Sequence, residues 1–320
     1  MVTESADLPI EPTQPRATGV LRRALDSDLL YSFRRSPLTI AAALVVLILG
    51  GSALLCAWIA PHDPFDLASL SILDSFDPPA WVDGGSWTYP LGTDDQGRDV
   101  LSAVLYGMRV SMLVGFSAVG LALVAGVSLG LLAGFAGGWV DTLVMRVCDI
   151  LLSFPAILIA ILIDGVARSV LPHDQQDQIA FSVVVLAVTV LPAVQFARTV
   201  RGSTLVERNK EYVQAARVIG VHPVAIAFRH ILPNVTGPVL VIATISLAIA
   251  IINEATLSFL GLGLPLTQPS LGTLIRVGQN YLFSGEWWMI LFPSLALAGL
   301  ALAVNLLGDW LRDALNPKLR

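Results

Sequence analysis

The sequence predicts an all-α integral membrane protein with six transmembrane helices and both termini on the cytoplasmic side. Three observations predict it. Hydrophobic residues make up 55% of the 320 positions and charged residues only 13%, so the 19 basic and 24 acidic side chains are too few to clothe a soluble surface. Mean hydropathy is +0.74. Apolar runs long enough to cross a bilayer, which takes roughly 20 residues, recur along the chain. Finally, the basic residues fall unevenly between the loops that these runs would separate.

The first span, Leu38–Ala60, carries no charge. It starts too far from the N-terminus, and runs too long, for a signal-peptide core, and is expected to stay as an anchor. Ser111–Phe135 is the second, closed by Gly137-Gly138, and Met145–Ile163 the third, with Arg146 and Asp149 near its start as a structural i, i+3 pair and Pro155 inside. Ile179–Phe196 is the fourth, Val239–Leu260 the fifth and Met289–Leu307 the sixth. Pro155, Pro192 and Pro293 are tolerable inside spans where neighbouring helices re-satisfy the freed backbone groups. Between the first two spans, the loop 61–110 holds eight aspartates and two arginines. Val100, Leu101, Val104, Leu105 and Met108 give its end helical spacing, which predicts a short interfacial helix.

With the N-terminus cytoplasmic, that side holds fifteen of the nineteen basic residues; only Arg98, Arg109, Arg168 and Arg276 lie outside. Six of the fifteen are in one inner loop, 197–234. Trp58, Trp139, Trp287, Trp288 and Trp310 stand at span ends, as an aromatic belt requires. Residues 1–30 read as a mobile polar tail. The net charge of −5 leaves no basic footprint for nucleic acid.

Catalytic signatures are missing. There is no G-x-x-x-x-G-K-[ST], H-E-x-x-H or G-x-S-x-G, and the four histidines match no metal-ligand spacing. Cys56 and Cys148 lie in or beside apolar runs, where small buried thiols are expected. No catalytic or metal-ligating residue is predicted, and no cofactor in this chain. A membrane enzyme would need a nucleophile, base and oxyanion set that the sequence does not supply. A self-sufficient secondary transporter or channel stays open on the residues alone.

The inner loop reads Glu211-Tyr-Val-Gln-Ala-Ala-Arg-Val-Ile-Gly220, then Val221 to Asn234. It predicts two short helices around a corner: Gly220 suits a left-handed cap, Pro223 opens the second helix and Pro233 ends it. Ala215 and Ala216 offer a small-residue face that another protein could approach closely. A solvated helical hairpin is the plainer alternative. The run Gln214-Ala215-Ala216, then Gly220, then Ile231-Leu232-Pro233 resembles the EAA loop of ABC-importer permeases, and like that loop it falls between the fourth and fifth of six helices. In that family the loop's short helix docks in a groove of the partner ATPase. Gln214 departs from the pattern, standing where the usual glutamate would be.

Further segments narrow the resemblance: Ala60-Pro-His-Asp-Pro-Phe65, Leu91-Gly-Thr-Asp-Asp-Gln-Gly-Arg-Asp-Val100, Ser153-Phe-Pro155, Leu257-Ser-Phe-Leu-Gly-Leu-Gly263 and Asn305-Leu-Leu-Gly-Asp-Trp-Leu-Arg-Asp313. From about Arg34 onward the chain resembles the second permease subunit of dipeptide/oligopeptide importers, a group that includes nickel permeases. The resemblance implies a type I importer fold and a cell-membrane location. It also implies a homologous permease partner, two ATPase subunits (or one fused ATPase) that carry ATP and Mg, and an extracytoplasmic solute-binding protein. The implied organisation is a cytoplasmic segment 1–37, a first span 38–60, an outer loop 61–110, an importer core 111–308 containing the coupling loop 197–234, and a cytoplasmic tail 309–320.

Two other features carry expectations. Gly126, Gly130 and Gly134 put small residues on one face of the second span, as close helix packing in lipid requires. Asn253 and Glu254 are candidates for lining the translocation path. Glu254 is the only acid deep within an apolar span, and a charge there costs roughly 2.5–3.5 kcal/mol on insertion scales unless it faces a cavity or a partner. Snorkelling to the outer interface is its alternative.

Overall fold

A computed structural model describes residues 28–66 and 72–315. The tail before residue 28, the acidic-loop residues 67–71, and Lys318 and Arg320 lie outside the described residues. The described chain is helical, with a single isolated β-bridge between Thr93 and Asp99. In chain order the helices are α1 (Asp28–Arg35), α2 (Pro37–Leu54), α3 (Cys56–Ile59), α4 (Val100–Ala136), α5 (Gly138–Leu152) and α6 (Ala156–Val170). There follow α7 (His173–Glu207), α8 (Glu211–Val218), α9 (Pro223–Phe259), α10 (Leu271–Tyr281) and α11 (Trp288–Leu315).

Five of these, α2, α4, α7, α9 and α11, are long and apolar enough to cross a bilayer; α5 and α6 make a sixth only as a pair bent by 96°. The third expected span is therefore broken at Ser153–Pro155. Pro155 has no N–H to continue the ladder, and Ser153 already caps α5. Pro192 and Pro293 lie inside continuous helices. The expected interfacial helix is not a separate element, because Val100–Ala136 runs unbroken for 37 residues, about 55 Å at ~1.5 Å per residue. Asp99 starts it, accepting from the backbone N–H groups of Leu101 and Ser102.

The most extensive helix pairing is α4 with α7. A Cβ placed on Gly126 would lie 2.4 Å from the Ala193 carbonyl oxygen, and one on Gly130 2.4 Å from that of Ala197; at Gly134 it would meet Thr204 at 2.7 Å. The three glycines thus let two backbones touch. At the Gly134 end of this seam Arg201 holds Asp141 of α5 through two bonds of 2.9 and 2.6 Å, and Arg208 donates to the Gly134 carbonyl at 2.7 Å. Asp149 pairs across to Arg198 at 3.2 Å, not with Arg146 as the i, i+3 spacing suggested.

A second group, α2, α10 and α11, packs against the N-terminal part of α4. α9 touches both groups. Trp58 and Trp139 are exposed, but Trp288 leaves the expected belt: it is buried and donates from its ring to the Thr93 carbonyl at 3.0 Å.

Candidate functional site

The loop between α7 and α9 is built on a polar knot. The Glu207 carboxylate accepts from Lys210 Nζ at 2.6 Å and from the Tyr212 hydroxyl. Asn234 Nδ2 donates to the Tyr212 oxygen at 3.1 Å and to the His230 carbonyl at 2.7 Å. The end of α7, all of α8 and the start of α9 are thereby tied together. Partial burial of the ring, and then the neighbouring Glu207, push the Tyr212 phenol above its usual range.

Beneath the knot, Val213 and Ala216 are buried with Ile226, Ala227 and Ile231. The expected Ala-Ala face is therefore split: Ala216 packs inward and only Ala215 faces out, since successive helical residues point about 100° apart. Gln214 is exposed and donates from Nε2 to the Asn209 carbonyl at 3.0 Å. A glutamate at this position could accept but not donate, so the departure from the family pattern has a local use.

α8 ends in a Schellman turn. Val221 N–H reaches the Ala216 carbonyl at 3.0 Å and Gly220 N–H that of Arg217 at 3.1 Å, with Gly220 left-handed at φ 82°. His222 caps the next helix and Pro223 opens it, but Pro233 does not end it. The stretch Ile226–Ile231 is π-helical and leads directly into Leu232–Phe259, so Pro233 sits inside one helix continuous with the fifth span. The wider i→i+5 turn ahead of Pro233 accommodates a residue that can neither donate nor pack tightly against the preceding turn. Around the corner, Val218 (87% exposed), Ile219 (78%), Val224 and Phe228 form an apolar ridge.

Towards the C-terminal end of α9, Asn253 and Glu254 point to different surroundings. Asn253 borders a cavity of about 20 Å³ against α6 and α7, with Ala160, Val188 and Leu191 on the other walls. Glu254 is fully buried and does not border that cavity. Its Oε2 accepts from Ser111 on α4 at 2.7 Å and its Oε1 from Ser258, one turn on, at 2.7 Å. Ser111 Oγ in turn accepts from the Leu271 N–H at 3.3 Å, linking the start of α10. Glu254 neither snorkels outward nor borders the cavity at Asn253; it joins α4, α9 and α10. Ser258 was visible in the sequence as an i+4 neighbour, whereas Ser111, 143 residues away, had no signal there.

Comparison with known proteins agrees with this architecture. Residues 126–320 match the family described as binding-protein-dependent transport system inner membrane component. The chain is 37% identical to a di/tripeptide transport system permease protein, DppC, of Pseudomonas aeruginosa, over 90% of this chain and 91% of that one. It is 40% identical to a putative peptide transport system permease protein of Brucella suis, covering 86% of each. To a glutathione transport system permease protein, GsiD, of Pectobacterium atrosepticum it is 37% identical over 90% of this chain and 89% of that one. A chain of the MetNI methionine ABC transporter, solved in inward-facing conformations, shares the fold at a TM-score of 0.50 and 21% identity, over 68% of this chain and 96% of that one. With the family matched across more than half its length and relatives aligned nearly end to end, the chain belongs to the binding-protein-dependent transport system inner membrane components.

Proposed function

We propose that this chain is the permease subunit of a peptide importer, forming half of a translocation pathway with a homologous permease. Peptides are delivered by an extracytoplasmic binding protein, and ATP with Mg is hydrolysed in partner subunits. The peptide class is supported by the names of relatives aligned over nine-tenths of the chain. Fifteen basic residues on one side support cytoplasmic termini in the cell membrane. A self-sufficient secondary transporter would need partnered intramembrane acids lining a path, and Glu254 instead binds serine hydroxyls inside a helix junction.

The observation that carries the coupling role is the exposed ridge Val218, Ile219, Val224 and Phe228, set around the rigid corner at Gly220 and continuous with α9. Gln214, Ala215, Gly220 and the ridge face the ATPase; Ala216, Ile231, Leu232 and Pro233 transmit its movement into the fifth span. On the path itself, Asn253 is the candidate lining residue, and Glu254 supports it from behind. Gly220→Val tests the loop. No atom crowds the position, but a β-branched residue at φ 82° is strained, so the corner shifts. In the reconstituted complex, uptake and transport-coupled ATP hydrolysis are expected to fall together. Normal coupled hydrolysis in this variant would refute the coupling role.

A further inference from the structure

Three small cavities follow one seam, where α6 and α7 meet the outer half of α9 and the turn after it. The deepest borders Asn253. The next passes Asp164, Arg168 and Gln176. The outermost is the widest of the three, about 110 Å³, and its walls include Arg168, Gln176, Asp177, Gly261, Gly263 and Arg276. Two of the four arginines assigned to the outer side of the membrane therefore converge on one polar recess.

The two arginines are not equivalent. Arg168 donates from Nε to Asp164 at 2.7 Å and from Nη2 to the Gly263 carbonyl at 3.4 Å, so its charge is matched within the chain. Arg276 is half-buried and stands against the turn at Gly261, where an added Cβ would lie 2.4 Å from its Nη1. Among the described residues no hydrogen bond or ion pair holds its guanidinium, and Asp177, on the cavity wall, does not pair with it. A guanidinium partly withdrawn from water with its planar fork of donors unmet is matched in charge and geometry by a carboxylate. The recess has room for a carboxylate and the carbon that bears it, not for a whole peptide.

We infer that Arg276 receives the C-terminal carboxylate of a peptide at the outer mouth of this seam, as a transient subsite between release from the binding protein and passage past Asn253. The inference rests on the reading of the chain as a peptide permease, and it adds the chemical group that the permease itself recognises. A carboxylate on the docking binding protein has the same chemistry, but a recess that shares the walls Arg168, Gln176 and Ala180 with the next cavity along the seam favours the travelling ligand.

The test uses the whole transporter in vesicles, with the binding protein saturated by dialanine or by dialanine C-terminal amide. Turnover at saturation then reports the permease step, not capture. The wild type is expected to turn over the free acid faster than the amide. Arg276→Gln should slow the acid by about tenfold, the scale of one charge-assisted hydrogen bond, and leave the amide rate unchanged. Arg276→Lys should restore part of the preference. Equal rates for acid and amide in the wild type would overturn the inference without any variant. An equal loss for both ligands in Arg276→Gln would overturn it as well. So would a raised KM for the binding protein with turnover unchanged, which would assign the arginine to docking. Failure of the wild type to import either dipeptide would remove the peptide reading and this inference with it.

Discussion

The two ends of α9 solve opposite problems. At its C-terminal end, polar groups are withdrawn from solvent and paired inside the chain: Glu254 accepts from Ser111 and Ser258. At its N-terminal end the arrangement is inverted. The polar knot of Glu207, Tyr212 and Asn234 lies at the surface, and the apolar side chains of Ile219 and Phe228 stand beyond it with no partner among the described residues. The junction around Glu254 is closed within this chain, while the corner at Gly220 leaves exposed apolar side chains that the proposed docking of another subunit would cover.

If that contrast is right, substitutions at the two ends should fail in different ways. The largest effect on stability is expected from Glu254→Ala. It removes the acceptor for two buried hydroxyls and leaves a void where three helices meet, at a cost of about 3 kcal/mol. Thermal unfolding of the purified chain in detergent should show a clear drop, and Glu254→Gln, which keeps an acceptor oxygen, should recover most of it. An unchanged midpoint for the alanine variant would mean that the junction is not held by this carboxylate.

Phe228→Asp should do the reverse. The side chain is 59% exposed, so the fold is expected to keep its thermal midpoint. Transport-coupled ATP hydrolysis in the assembled complex should fall by about tenfold, as for a central residue of an interface. Loss of stability with docking intact would break the comparison.

The smallest effect is predicted for Tyr212. Its phenol is shifted upward, first by partial burial and then by Glu207, so the native state holds this proton more tightly than the unfolded chain does. The contribution is complete below the ordinary phenol range near pH 10 and is lost as pH rises through the shifted value. Tyr212→Phe should abolish that alkaline loss in unfolding curves measured on either side of pH 10. An alkaline slope identical to the wild type would place the titration elsewhere.

Much of this was legible in the chain itself. Apolar runs identified the spans because a bilayer demands about 20 residues in a row, whatever the neighbours are. Gly220 announced the corner because a left-handed residue after a helix is a local requirement, and the four-residue spacing of Gly126, Gly130 and Gly134 marked the face that meets α7. Pro233 misled because the turn before it, Ile226–Ile231, is π-helical and runs on into Leu232–Phe259 without a break.

Sequence alone therefore determined what obeys local or periodic rules: the spans, the corner and the small-residue seam. Tertiary structure decided which way each side chain faces and what it meets. It bent the third span by 96°, turned Ala216 into the core beside an outward Ala215, and closed Glu254 onto Ser111 while Asn253 bordered a cavity. Among the described residues it also left Arg276 unmatched beside a matched Arg168. Neighbours on a helix diverge by about 100°, and partners such as Ser111 and Glu254 are 143 positions apart, so only the packed chain can say which polar groups are satisfied and which remain open to a ligand.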